Sequence, residues 1–199
     1  EGVFEDDDKE RVIDSTGAAK TSGSLAVGDT LIAVVKFNNV LNLDTSVATS
    51  LNGPEYVYGI SAITITDITG GVATFGANSS FETTYGAGAV AAFFTSGTGL
   101  DTACGSIAAC EGNAAGGATF GSAYMTLGFG DSSDFWVAGG ALGFPITADL
   151  ATVAAENGGT KVAVANYALS VLTNNTGYTF LDQACSLCAA FGSIGNDGV

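Results

Sequence analysis

The chain has 199 residues, enough for one domain that buries about 70% of its unfolded surface, and its 47% hydrophobic against 13% charged residues exclude a disordered polymer. Its 20 Asp and Glu against 5 Lys and Arg give a formal charge of -15, and no basic residue lies between Lys36 and Lys161, which excludes the basic stripe that binding nucleic acid needs. With no histidine, Ser-His and Cys-His nucleophiles and imidazole metal ligands are excluded as well.

The chain begins at Glu1 and opens on an acidic cluster, from which a removed leader or tag is expected; Glu5-Asp6-Asp7-Asp8-Lys9 resembles an enteropeptidase cleavage sequence. Residues 1–16 are expected as an acidic N-terminal arm or edge element. Val3, Phe4, Val12 and Ile13 are its apolar anchors should it serve as a donor strand.

Residues 17–199 are expected as a single β-sandwich domain. Leu31–Phe37 is short and β-branched after the Gly28-Asp29 turn, the pattern of a buried strand. Asn38-Asn39 and Asn42 through Pro54 carry turn chemistry and predict a long connection. Tyr56–Asp67 is the clearest strand, with Ile63 and Ile65 alternating against Thr64 and Thr66 to give one buried and one polar face.

Gly70-Gly71 punctuates before the strand Val72–Phe75, and Ala89–Phe94 is a further short apolar strand. The Ala/Gly-rich stretch Ala103–Gly117 is expected as a loop. Met125, Leu127 and Phe129 alternate with Tyr124, Thr126 and Gly128, and Gly130–Ser133 then predicts a hairpin into Asp134–Val137. Thr147 is placed to cap a single helix over 147–157 that ends at Asn157-Gly158. Val162, Val164, Leu169 and Val171 mark a last strand before Asn174. Many short strands with one helix predict an all-β antiparallel sandwich, most simply jelly-roll-like.

The cysteines form two close pairs, Cys104/Cys110 and Cys185/Cys188, and the three connectivities open to them are not separable by spacing. Disulfides are preferred to a zinc site, because only Cys185/Cys188 has knuckle spacing and the acidic, histidine-free chain has the character of an exported protein.

Candidate chemistry is sparse. Asp131 and Asp134 beside Trp136 are the arrangement with which glycosidases hold a sugar, and Tyr56 and Tyr58 could extend an aromatic platform. The same residues in a hairpin loop are ordinary turn residues. Asp131 and Asp134 are also the candidate Ca²⁺ ligands, although no EF-hand loop is present, and no other cofactor is expected. Asn78-Ser79-Ser80 and Asn174-Asn175-Thr176 fit the N-glycosylation pattern. No apolar run reaches the 18 or more residues of a membrane-spanning helix.

The global anomaly is the scarcity of charge outside the first 14 residues, which hold seven of the 20 acids. A surface so bare fits one buried again against other copies of the chain. The stretch Gly23-Ser24-Leu25-Ala26-Val27-Gly28-Asp29-Thr30-Leu31 and the Ala/Gly/Thr-rich remainder resemble secreted bacterial surface and matrix proteins that form extracellular filaments. That resemblance implies structural work in a biofilm matrix, sheath or surface layer, in places by donor-strand exchange, and it carries no site residue over. The expectation is therefore a non-enzymatic, self-assembling extracellular subunit. A viral coat or tail subunit and a secreted carbohydrate-binding protein are the alternatives.

Overall fold

The computed structural model describes residues 2–42, 47–50, 56–96, 123–156, 162–175 and 187–195. In chain order they form β1 (Gly2–Ile13), β2 (Thr30–Asn42), β3 (Val47–Ser50), β4 (Tyr56–Thr69), β5 (Val72–Ala77), α1 (Ser79–Tyr85), β6 (Ala89–Ser96), β7 (Met125–Gly128), β8 (Phe135–Gly140), α2 (Leu150–Glu156), β9 (Val162–Asn174) and β10 (Leu187–Gly195). The chain is all-β and antiparallel, as its turn grammar predicts, and every pairing among the described strands is antiparallel.

The strands make one meandering sheet, because three of its lines are strands that break and resume. β5 pairs with β4 up to Ala77↔Ile63, and β6 resumes on the same strand at Ala91↔Ser61, so α1 and its flanks are inserted opposite Ala62 alone. β7 pairs with β9 up to Gly128↔Ser170, and β8 resumes at Phe135↔Ala168, leaving residues 129–134 opposite Leu169. β3 pairs with the far end of β2, and β4 takes over from Val57↔Phe37. The spatial order is therefore β1, β2, β3/β4, β5/β6, β7/β8, β9, β10, each line beside its neighbours in sequence. A jelly roll would instead cross between sheets.

That register corrects one expectation. β7 and β8 both run antiparallel to β9, so they point the same way and Gly130–Ser133 is a bulged-out loop within a strand, where a hairpin was expected. Turn residues signalled the break in the chain but not whether it reverses direction.

Both faces of the sheet are apolar. Cross-strand partners share a face, so Ile32↔Ala62, Val34↔Ile60 and Ile60↔Ala92 define one side, where Phe81 of α1 is buried among them. Leu31↔Ile63, Ile65↔Phe75, Ala73↔Ala138 and Ala138↔Ala165 define the other, which continues to Ile146 just before α2. The one-sided pattern expected for β4 holds only at its end: Thr66 is exposed, whereas Ile60 and Ala62, on the face opposite Ile63, are 2% and 1% exposed because α1 covers them. Burying Phe81 contributes about 2–3 kcal/mol.

α1 is a second helix beside the one expected. Asn78 caps it in an extended conformation, its Oδ1 accepting from the amides of Ser80 and Phe81, and Gly86 at φ 103° ends it. Its Thr83 and Thr84 are weak helix formers, and tertiary packing overrides them: the Phe81 and Tyr85 rings sit 4.4 Å apart one helical turn on, with Tyr85 edge-on to Phe94. α2 lies within the expected 147–157, but its cap is Asp149, whose Oδ1 accepts from the Thr152 amide, and not Thr147.

Of residues 1–16, expected as an arm or edge element, the described residues 2–16 lie in β1 and its following turn. β1 pairs with β2 along its whole length, from Gly2↔Asn42 to Ile13↔Thr30. Ile13 is buried in the face that α1 covers, and Val3 and Phe4 lie opposite Leu41 and Val40.

Candidate functional site

The breaks in the two central lines lie side by side, and acidic residues hold the seam between them. The Phe129 amide donates to the Gly88 carbonyl (2.9 Å), and a Cβ added at Gly128 would lie 2.0 Å from that same oxygen, so both backbones need glycine there. Glu82 of α1 accepts from the Gly88 amide on Oε1 (2.7 Å). On the other side Asp134 Oδ2 accepts from the amides of Gly130 (2.6 Å) and Asp131 (2.9 Å) and from the Ser170 hydroxyl (2.8 Å).

This arrangement gives Asp131 and Asp134 structural employment. Asp131 Oδ1 accepts from the Ser133 hydroxyl and amide, and those two bonds, the hydroxyl first, hold its carboxyl below the usual carboxylate range. A glycosidase acid needs the opposite shift. Glu82 was not a candidate in the sequence, where nothing distinguishes it from any helix-surface acid.

The aromatic candidates do not converge. Trp136 pairs with Tyr167 across β8 and β9 and stacks on it, with ring centroids 4.6 Å apart, on the face that α2 covers. Tyr58 is fully buried and lies on the opposite face with Ile60, while Tyr56 pairs at the backbone with Ser96. The indole Nε1 of Trp136 is buried and makes no hydrogen bond among the described residues. Among the described residues no three His, Cys, Asp or Glu side chains come together to hold a metal.

Asn78, a candidate glycosylation site, has its whole amide in use. Besides capping α1, its Nδ2 donates to Thr30 Oγ1 (3.2 Å) and Thr64 Oγ1 (3.0 Å), which also bond each other across β2 and β4. Asn174, at the end of β9, is exposed. Cys104, Cys110 and Cys185 lie outside the described residues; Cys188 is placed in β10, opposite Ala168, at the level of the backbone alone.

Residues 14–29 link β1 to β2 and are clamped at three points. Asp14 Oδ1 accepts from the Thr16 hydroxyl and the amides of Thr16 and Ala18, closing a turn that returns Ala19 to Ile13. Lys20 Nζ bonds the buried Asp29 (2.6 Å), and the Gly23 amide bonds Asp149 Oδ2 (2.6 Å). Under α2 this leaves an apolar cavity of about 80 Å³, floored by Leu31, Ile65, Phe75 and Ala138 and roofed by Leu150 and Val153, with Glu10 and Arg11 at its edge.

The two flanks of the sheet are the remaining feature. Among the described residues β1 pairs only with β2 and β10 only with β9, so each presents one row of backbone donors and acceptors without a strand beside it. β1 carries Glu5, Asp6, Asp7, Asp8 and Glu10 against Lys9 and Arg11; β10, Leu187–Gly195, carries no charge.

No family model, no curated protein and no solved structure matches the chain. Among the described residues no helix is long and apolar enough to cross a membrane.

Proposed function

We propose that the chain is the structural subunit of a self-assembling extracellular filament or surface layer, its copies joined by strand addition through the N-terminal segment that forms β1. The observation that carries this reading is the open meander, whose outer strands β1 and β10 are each bonded on one side only among the described residues. An uncovered sheet edge is a template for another strand, and main-chain hydrogen bonds along it supply affinity.

The surface supports the same reading. Leu142, Val27, Val164, Val72 and Phe135 are 40–70% exposed, in a chain with only 13% charged residues. Val72, Gly139 and Val164 pair in one row across β5, β8 and β9, which places the two valines together on the face opposite α2. Such a patch is normal for a surface that meets another protein. Asp131 and Asp134, on which the carbohydrate alternative draws, are both engaged in holding a loop.

The test is negative-stain electron microscopy of the chain over a range of salt, with and without Ca²⁺, beside size-exclusion chromatography of the same samples. Regular filaments or sheets are expected, and a chain starting at Gly17 is expected to lose them. A monomer of 19.7 kDa under every condition would overturn the proposal.

A further inference from the structure

We infer that the surface receiving β1 is the edge of β10 that has no strand beside it among the described residues, on a second copy of the chain, so that growth is head-to-tail. This rests on the structural-subunit reading and names its contact. Three pairings of the two open edges are available, and charge separates them. A β1–β1 pair brings together two strands that each carry five acids against two bases, and this shared excess of negative charge opposes their approach. β10, LCAAFGSIG, offers backbone groups with no charged residue among them and accepts an acidic strand without that repulsion.

The third pairing, β10 on β10, is closed by its two-fold axis and stops at two copies. The β1–β10 pairing joins different surfaces and leaves a free β1 at one end and a free β10 at the other, so it continues as a filament.

The register adds the symmetry. Six antiparallel steps separate β1 from β10, from β2 through β4, β6, β7 and β9, so the two edges run in the same direction. An antiparallel β1–β10 join, the commoner kind of strand pair, then turns each successive copy over. The filament repeats every second subunit, and the faces covered by α1 and α2 alternate along it.

The test uses two variants, Ser193→Pro and Ile194→Pro, each in the full chain. Successive amides of β10 point alternately toward β9 and outward, so one of the two prolines removes an outward donor and leaves the ladder to β9 intact; circular dichroism and the melting curve identify which variant keeps its fold. That variant is expected to form no filaments alone. Added in sub-stoichiometric amount to the unmodified chain, it is expected to shorten filaments several-fold, because its intact β1 docks on a growing end whose next β10 is blocked. Charge-neutralised β1 (Asp6→Asn, Asp7→Asn and Asp8→Asn together) is expected to leave the join in place.

Full-length filaments from the folded proline variant, or no shortening in the mixture, overturn the β10 contact. Dimers that form only after neutralising β1 and survive the proline point to β1–β1 pairing and overturn it too, and discrete dimers abolished by the proline point to β10–β10 and do the same. No polymer from the unmodified chain under any condition overturns the structural-subunit reading itself.

Discussion

Asp149 bonds the Gly23 amide, 126 residues away in sequence, with one carboxylate oxygen and the Thr152 amide of its own helix with the other. A helix cap thereby doubles as the clip that holds the β1–β2 connection against α2, where the Leu150 amide also donates to the Gly23 carbonyl (3.0 Å). Asp149→Ala removes both acceptors at once. The expected result is a melting temperature lowered by several degrees together with faster hydrogen exchange at Gly23 and Thr152, the paired loss distinguishing a clip from a simple cap.

Acid should destabilise the fold in a narrow window. The Thr16 hydroxyl at Asp14, the Ser133 hydroxyl at Asp131 and the Thr152 amide at Asp149 are the leading causes that draw these carboxyls below 3.8. A carboxyl whose pKa is lowered by folding contributes stability that is fully present above its unfolded value and is lost as pH falls through the folded one. With no histidine in the chain, thermal stability is expected to stay nearly level between about pH 5.5 and 8 and to fall below about pH 4. A pronounced transition near pH 6.5 would contradict this account.

The seam between the broken lines makes Gly128 sensitive. A Cβ there meets the Gly88 carbonyl oxygen at 2.0 Å, so Gly128→Ala must push β6 and β7 apart and is expected to cost about 3 kcal/mol or more. At Gly139 the nearest atom to an added Cβ is 4.0 Å away, and Gly139→Ala is expected to be tolerated in the same urea titration.

Much of this was legible in the sequence, and what was missed has identifiable causes. The alternation of β4 and the β-branched run of β2 come through because one residue in two faces a core. α1 does not, since Asn78-Ser79-Ser80 is equally a turn, a sequon and a cap, and only the position of Phe81 over Val34 and Ile60 makes it a cap. The seam acids were partly visible: Asp131 and Asp134 stood out beside Trp136, but their role depends on Ser170, 36 residues beyond Asp134. The direction of β8 is likewise set by its pairing with β9, which no local pattern reports.

Asn78 is expected to remain unmodified when the folded protein meets an N-glycosylating system, because both amide hydrogens are held by Thr30 and Thr64. Peptide mass spectrometry checks this, with the exposed Asn174 as the internal comparison. Asn78→Ala leaves two hydroxyls and two helix amides without that partner and is expected to lower stability by about 2 kcal/mol.

The space beneath α2 can be filled. Ala163 lines it from β9, and Ala163→Val adds two methyl groups to a cavity of about 80 Å³ in a strand position suited to a β-branched side chain. A gain of about 1 kcal/mol is expected in chemical denaturation, and Phe75→Ala, which enlarges the same cavity, is expected to lose about 3–4 kcal/mol.

The interrupted lines also bear on how such a chain can diversify. Residues 129–134 leave the ladder opposite one residue, Leu169, and the ladder continues on either side of it. The length of the excursion therefore does not enter the alignment of the strands, and a longer segment between Ser132 and Ser133 would be carried outward like a bead on a bracket, with loss of the Asp131–Ser133 bonds but not of the ladder on either side. Each such break is a grafting port in the middle of a strand, through which a lineage or an engineer can change what the sheet displays without shifting any strand of the sheet.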